Sequence, residues 1–368
     1  MRVLVTGANG FIGKNLLVHL REQGIEAVYF TREMGQADLA AKLGGVDFVF
    51  HLAGVNRPKE MGEFAEGNTA LTRQLCGLIR ASARQIPVLF TSSIQAETDN
   101  PYGVSKRAAE DELVALSQET GVPVYLYRLP NVFGKWSRPS YNSVVATFCH
   151  NIANDLPIQI NDPASIIRLV YIDDVIGDFL RLLKVLPGGV QWPEVSPSYT
   201  ITVGGLAEQI KLFKASRESM VTEAVGTGLT RALYSTYLSF LRPDQFTYGV
   251  TVHADSRGRF VELLKTRDSG QFSFFTAHPG ITRGGHYHHS KNEKFLVVQG
   301  TARFCFRHVE TGATHELMTE GDIPTIVETV PGWSHDITNV GNNEMIVMLW
   351  ANEIFDREHP DTIVYKVH

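Results

Sequence analysis

"MRVLVTGANGFIGKNL", Met1 to Leu16, sets the apolar run Val3–Val5 directly against glycines at 7, 10 and 13 and then a helical pattern. A strand, a glycine-rich turn and a helix in that order let a pyrophosphate approach backbone N–H groups at a helix N-terminus. Turn and close approach leave no room for side chains, so glycine is the residue such a site needs. The stretch predicts a doubly wound parallel α/β sheet. It also predicts a dinucleotide held at Gly7, Gly10, Phe11, Ile12 and Gly13.

The pattern continues outward. "EAVYFT", "VDFVFHLAG", "PVLFTSS" and "VPVYLYRLPNVFG" alternate with helical stretches through residue 180. Fully apolar strands alternating with helices belong to a parallel sheet covered on both faces, here a Rossmann fold. Residues 140–243 are mixed. Helices are predicted around "NSVVATFCHNIAN", "IDDVIGDFLRLLKVL" and "GLAEQIKLFKASRES", which reads as a substrate-covering region. From about Thr247 the texture changes to short alternating runs such as "GRFVELLKT", "EKFLVVQGTARFCFRHV" and "MIVMLWAN", separated by turn residues. That predicts an all-β sandwich or small barrel. The boundary falls at "LRPDQF", giving domains 1–243 and 244–368.

Composition agrees with this division. A chain of 368 residues suits two domains, and 43% hydrophobic with 20% charged residues is ordinary for a soluble protein. A net charge of −5 gives no electrostatic case for nucleic acid or an anionic membrane as partner. Cys76, Cys149 and Cys305 are scattered, without a CxxC pair, which suits a reducing cytoplasm. No signal peptide is expected, because the first strand begins at once. No run of 18 apolar residues predicts a membrane span.

The second strand ends in Thr31-Arg32. An arginine there suits a 2′-phosphate, where a carboxylate would suit a free ribose hydroxyl, so NADP is favoured. Tyr102 and Lys106, four apart, share one face of a predicted helix. An ammonium beside a phenol favours the phenolate. Ser92 and Ser93 close the preceding strand, where a hydroxyl can polarise a carbonyl. Serine, tyrosine and lysine together can deliver a proton to a ketone oxygen while hydride reaches its carbon.

This half resembles the extended short-chain dehydrogenases/reductases that act on nucleotide sugars. "TGANGFIG", "FVFHLAG", "GNTALT", "TSS", "YGVSK", "RLPNVFG" and "RLVYIDDV" carry the resemblance over about 1–240. It implies Ser93, Tyr102 and Lys106 as the catalytic set. It also implies cofactor contacts at Arg32, Leu52, Ala53, Gly54, Asn68 and Lys106. Asn68 would support the lysine through a water. Arg128, Asn131 and Arg168 would line the sugar-nucleotide side, the alternative for Arg168 being an ion pair with Asp173 or Asp174. Only eight residues separate "TSS" from "YGVSK", fewer than in these enzymes, which leaves Ser92 as the alternative serine.

"GGHYHHSKNEKFLVVQG", Gly284–Gly300, has its own spacing. From Gly280, five residues lead to His286, then one to His288, four to Glu293 and six to Gly300. Residues i and i+2 of a strand share a face, so His286 and His288 converge. A hairpin would return Glu293 to them, and "PGWSHDITN" supplies His335. Three imidazoles and a carboxylate suit Zn, Fe, Mn or Ni. A register slip would put His289 in place of His288. The spacing is that of the cupin jelly-roll family, over about 245–368. That resemblance implies His286, His288, Glu293 and His335 as metal ligands. "RGGHYHH" also resembles the catalytic stretch of cupin-type epimerases of 4-keto sugar nucleotides, which would make His286 a base, a ligand or both.

Both halves together resemble the bifunctional enzymes of capsular polysaccharide synthesis. That resemblance implies a UDP-linked 4-keto-6-deoxy-HexNAc substrate, C3 epimerisation, C4 reduction with NADPH, zinc in the cupin, a cytoplasmic location and a homodimer. The product would be UDP-2-acetamido-2,6-dideoxy-L-talose, on the way to UDP-N-acetyl-L-fucosamine. The alternatives are a monofunctional reductase whose cupin is a structural or sugar-binding dimerisation module, and an oxygen-using cupin.

Overall fold

The structure is a computed structural model of all 368 residues, described except at 57–59, 61–63, 251, 256–257, 262–263, 267–269 and 354–357. It divides into two compact units. One comprises Met1–Ser143 and Ile167–Thr200, the other Val144–Ile166 and Ile201–His368.

The first unit is built on strands β1 (Arg2–Thr6), β2 (Glu26–Phe30), β3 (Phe48–His51), β4 (Val88–Ser93) and β5 (Val124–Leu129). They form a parallel sheet in the order β2-β1-β3-β4-β5, extended by Val190–Gln191. Val3, Leu4, Val5, Phe48, Val49, Phe50, Val88, Leu89 and Phe90 are fully buried, as a sheet covered on both faces requires. Helices α1 (Phe11–Glu22), α2 (Gln36–Leu43), α3 (Leu71–Ser82) and α4 (Pro101–Thr120) connect the strands. Leu39, Leu43, Leu75, Ile79, Leu113 and Leu116 pack from α2, α3 and α4 into one core with Leu4, Val49 and Phe90. The chain leaves β1 for β2 on one side and resumes at β3 on the other. This reversal opens a crevice beyond the carboxyl end of β1, where the glycine turn lies.

The second unit is mostly antiparallel. One five-stranded sheet runs Thr247–Gly249, Thr325–Glu328, Glu293–Gln299, Met345–Ala351, Gln271–Ala277. The other runs Thr314–Glu320, Thr301–His308, Trp333–Asn339, Thr282–Tyr287, Ile363–Val364. These antiparallel sheets are the expected cupin-like half. The run Gly258–Thr266, read as one strand, is two pieces, Gly258–Val261 and Lys265–Thr266, with 262–263 outside the described residues.

Among the described residues, α5 (Val144–Ala153), α7 (Val203–Ser219) and α8 (Gly228–Leu238) are the α-helices of this second unit. The remaining helix, α6 (Ile172–Val185), lies in the first. Thr202 caps α7 by accepting from Gly205 N–H at 3.0 Å. Residues read from sequence as one substrate-covering region are thus shared between the units. Buried polar groups tie α7 and α8 to the strands. Glu328 meets Arg217 of α7 at 2.7 Å and Lys294 at 2.6 Å, and Tyr234 of α8 donates to it at 3.3 Å.

Candidate functional site

In the first unit the residues at the end of β1 have no space to spare. Gly7 has φ +69°, and a Cβ there would lie 2.7 Å from Ala53 N. A Cβ on Gly13 would lie 2.3 Å from Gly7 O, so α1 approaches the strand end only because residue 13 is glycine. The N-terminus of α1, with Gly10 as N-cap and no side-chain cap, opens into a cleft of about 640 Å³. Gly7, Gly10, Phe11, Ile12, Gly13, Leu52, Gly54, Ser93, Tyr102, Lys106 and Asn131 all line it. A second recess of about 540 Å³ begins at the same turn and is lined by Arg32, Ala53 and Val55.

Helix α4 places the titratable groups. Asn100 caps it by accepting from Gly103 N–H at 2.8 Å, and Pro101 opens its first turn. Tyr102 and Lys106 then sit one turn apart. Burial pushes the Tyr102 phenol up to about 12, and a hydrogen bond with Ser93 works against that rise. The expected depression by Lys106 does not occur. The Lys106 ammonium donates instead to Thr91 O at 2.9 Å and lies 4.7 Å over the Phe90 ring. Burial lowers Lys106 to about 8, opposed by the charge of Glu110.

Asn68 sits on a π-helical turn, Ala65–Ala70. Its Oδ1 accepts from Val55 N–H at 2.8 Å, and its amide donates to Ser105 Oγ at 2.9 Å. A Cβ on Gly54 would lie 3.0 Å from Asn68 Oδ1 and 3.1 Å from Lys106 Nζ, so Gly54 lets these two groups close in. Behind them runs a buried chain that sequence reading missed. Thr6 Oγ1 meets His51 Nδ1 at 2.8 Å, His51 Nε2 meets Thr72 Oγ1 at 2.9 Å, and Thr72 donates to Asn68 O at 2.6 Å. Burial holds His51 down at about 3, hence neutral.

Ser92 and Ser93 separate cleanly. Both line the cleft, but Ser92 donates to buried Glu110 at 2.5 Å, whereas Ser93 bonds Tyr102. Arg128 is held by two carboxylates. It forks onto Glu110 at 3.0 and 2.7 Å, reaches Glu97 at 3.0 Å, and stands outside the cleft lining. Arg168 is also outside that lining, and its ion-pair partner is Glu194 at 3.7 Å, not Asp173 or Asp174. Asn131 lines the cleft and donates to Arg168 O at 3.1 Å. Arg138, 5.3 Å over the Tyr141 ring, is a cleft cation with no motif to announce it.

In the second unit His286, His288, Glu293 and His335 bring their ligand atoms within 4.8 Å of one another. The two sheets supply them separately. His286 and His335 are cross-strand partners in one, Glu293 opens a strand of the other, and His288 lies in the connection. A bulge between Gly284 and His286 aims the first imidazole. It needs Gly284, at φ +110°, whose Cβ would lie 2.7 Å from His335 O.

These groups fit a divalent cation. His288 donates from Nδ1 to the Asp361 carbonyl, so a neutral ring turns the Nε2 lone pair toward Glu293 Oε2 at 3.2 Å. Two electron pairs in contact favour a cation between them. The buried Nε2 of His335 makes no hydrogen bond of good geometry and stands 3.4 Å from the same oxygen. Burial and the neighbouring imidazoles push His286 down to about 3 and lower His335. Three imidazoles with one carboxylate are a ligand-competent set. His288, not His289, joins it. His286 alone of the four is half-buried.

The NAD dependent epimerase/dehydratase family matches residues 3–191, and the polysaccharide biosynthesis C-terminal domain matches 253–363. Over 368 residues the chain is 62% identical to the UDP-2-acetamido-2,6-beta-L-arabino-hexul-4-ose reductase of Pseudomonas aeruginosa, covering 100% of this chain and 99% of that one. Its structure is similar to the capsular polysaccharide assembling protein CapF from Staphylococcus aureus, at 40% identity and TM-score 0.68 over 100% of both chains. The UDP-glucuronic acid 4-epimerase of Bacillus cereus shares the fold over 58% of this chain and 84% of its own, at 19% identity and TM-score 0.53.

Proposed function

The chain belongs to the NAD dependent epimerase/dehydratase family and carries a polysaccharide biosynthesis C-terminal domain, and from that premise we propose that it reduces the ketone of a UDP-linked sugar. The substrate is a UDP-2-acetamido-2,6-dideoxy-4-hexulose and the reductant NADPH. The cupin-like domain epimerises C3, and reduction at C4 gives UDP-2-acetamido-2,6-dideoxy-L-talose for a surface polysaccharide. The enzyme acts in the cytoplasm as a homodimer. The relative's name, a hexul-4-ose reductase, supports the ketone and its position. The observation that carries the reading is Ser93, Tyr102 and Lys106 lining one cleft with the glycine turn.

NADPH, when bound, supplies the hydride to C4. Arg32, at the far recess, is the group suited to its 2′-phosphate. The other steps belong to side chains. Ser93 polarises the ketone oxygen. Tyr102, with its phenol pushed up to about 12, keeps its proton at neutral pH and delivers it as the alkoxide forms. Lys106, at about 8, stays charged at neutral pH and keeps that charge in the cleft, anchored on Thr91 O.

In the cupin-like domain, His286, His288, Glu293 and His335 would hold a divalent metal ion, most simply Zn2+. Such an ion supplies Lewis acidity that makes the C–H beside a ketone more acidic. His286 has one lone pair to give: where the ion is held by His288, Glu293 and His335 alone, half-buried, neutral His286 is able to accept the C3 proton. The relative's name records reduction alone, which favours as second reading a reductase whose cupin is structural.

Two variants separate the readings. Tyr102→Phe should abolish NADPH oxidation, a loss of about 10²–10⁴-fold, while solvent deuterium still exchanges into the 4-keto sugar. His286→Ala should stop exchange and leave a ketone that is still reduced, to a different stereoisomer. Unchanged exchange in His286→Ala sinks the epimerase, and undiminished NADPH oxidation in Tyr102→Phe sinks the reductase site.

A further inference from the structure

Of the four clustered side chains, His288 is the one that no strand holds. The flanking strands are Thr282–Tyr287 and Glu293–Gln299, and residues 288–292 are the connection between them. A ring on a connection keeps its aim only if something else fixes the loop.

That something is a residue far along the chain. The carboxylate of Asp361 accepts from three successive backbone N–H groups: His289 at 2.8 Å, Ser290 at 2.7 Å and Lys291 at 2.7 Å. The Ser290 hydroxyl adds a fourth bond at 3.0 Å. Consecutive N–H groups converging on one anion make a nest, normally a place where a ligand binds. Here the protein fills it with its own side chain. The carbonyl of the same residue accepts the Nδ1–H of His288, so loop and ring are held from one point. From the other side, Arg231 of α8 donates to Ser290 Oγ at 2.5 Å and pairs with Glu353 at 2.7 Å. Ser235, one turn on, donates to Ser290 O at 2.8 Å.

The strand start does not depend on Asp361. Glu293 N–H donates to Thr329 Oγ1 at 2.9 Å and Asn292 N–H to Asn352 Oδ1 at 2.9 Å. The fold at Glu293 is therefore anchored separately from the tilt and tautomer of His288.

We propose that Asp361 is a positioning residue for metal binding: it fixes the connection 288–291 and, through its carbonyl, presents Nε2 of His288 to the cation. This rests on the metal reading given above. Partners that orient a ligating imidazole typically matter by about 10–100-fold in metal affinity.

The experiment uses the full chain and Co2+ as probe, followed by its visible spectrum and by competition with Zn2+ and a chelator. Asp361→Ala should bind about 10–100-fold more weakly than wild type, with altered cobalt bands and unchanged far-ultraviolet circular dichroism. Asp361→Asn keeps one oxygen for an amide but turns an NH2 toward the other donors, so its affinity should fall between the two. If Asp361→Ala fails to fold, Asp361→Asn decides alone: a weaker, spectrally altered site supports the proposal. Wild-type affinity and bands in the folded variants overturn it, even if the melting temperature drops, because Asp361 is then structural only. A wild-type chain that takes up no ion overturns the metal reading and this inference together.

Discussion

Ser92 and Ser93 are neighbours in sequence that serve opposite faces of β4. Both reach the cleft, but strand periodicity turns the Ser92 hydroxyl to Glu110 and the Ser93 hydroxyl to Tyr102, and only the register decides which. Ser93→Ala should therefore lower kcat about 10²–10³-fold, the usual result of losing one donor to a developing oxyanion. Ser92→Ala should leave kcat nearly unchanged and cost about 1 kcal/mol of stability, because it only removes a donor from Glu110. Steady-state kinetics and melts on both variants check this, and the reverse ranking sinks the assignment. Residue types and spacing were legible at this scale, and directions were not. Nothing local shows that Glu110, buried one turn past Lys106, takes Nε and Nη2 of Arg128 while Glu97 takes Nη1. The Tyr102 phenol read as depressed because sequence shows the lysine but not its aim at Thr91 O.

Elements were easier. Apolar runs gave away the parallel strands, and glycine spacing gave away the turn. His286 and Glu293 were legible from strand spacing, whereas His288, expected beside His286 on one strand, lies just past that strand's end and joins the cluster from the connection. What local pattern cannot say is which core a helix joins. Helices α7 and α8 carry ordinary helical periodicity. Their attachment depends on Arg217, Tyr234, Lys294 and Glu328 meeting across more than a hundred residues. Fully buried Glu328 is lowered to about 2 by Lys294 and Arg217, against its burial. A carboxylate depressed in the folded state stabilises above its unfolded value and loses that contribution as pH falls. The window runs from the model-peptide value of 4.5 down to about 2. Glu328→Gln should cost about 3–5 kcal/mol at pH 7, since it leaves buried cations unpaired. The deficit should shrink toward pH 3, as read from urea midpoints. An equal deficit at both pH values would show that the charge does not carry the effect.

For the whole molecule, the texture change near Thr247 marks where the strands begin, whereas the second compact unit also takes in 144–166 and 201–243. A fragment 244–368 would lose Arg217 beneath Glu328 and the grip of Arg231 and Ser235 on Ser290. It is expected to aggregate on size exclusion and to bind Co2+ poorly. A fragment 201–368, which keeps these partners, should do better on both counts. Equal behaviour would mean that α7 and α8 are dispensable to the strands.

The segmented make-up of the second unit also governs the order in which the chain can complete itself. Helix α5 buries Val145, Phe148, Cys149 and Ile152, and its partners are α7, whose Lys214 donates to Ile152 O at 2.9 Å, and Gln245, which donates to Ala153 O at 2.7 Å. None of these exists when α5 leaves the ribosome. At about 5–20 residues per second, an apolar helix waits on the order of ten seconds for its cover. Residues 167–200, synthesised in between, let the first unit close while α5 is still bare, so the nascent chain is most exposed to chaperones and misassociation at its middle.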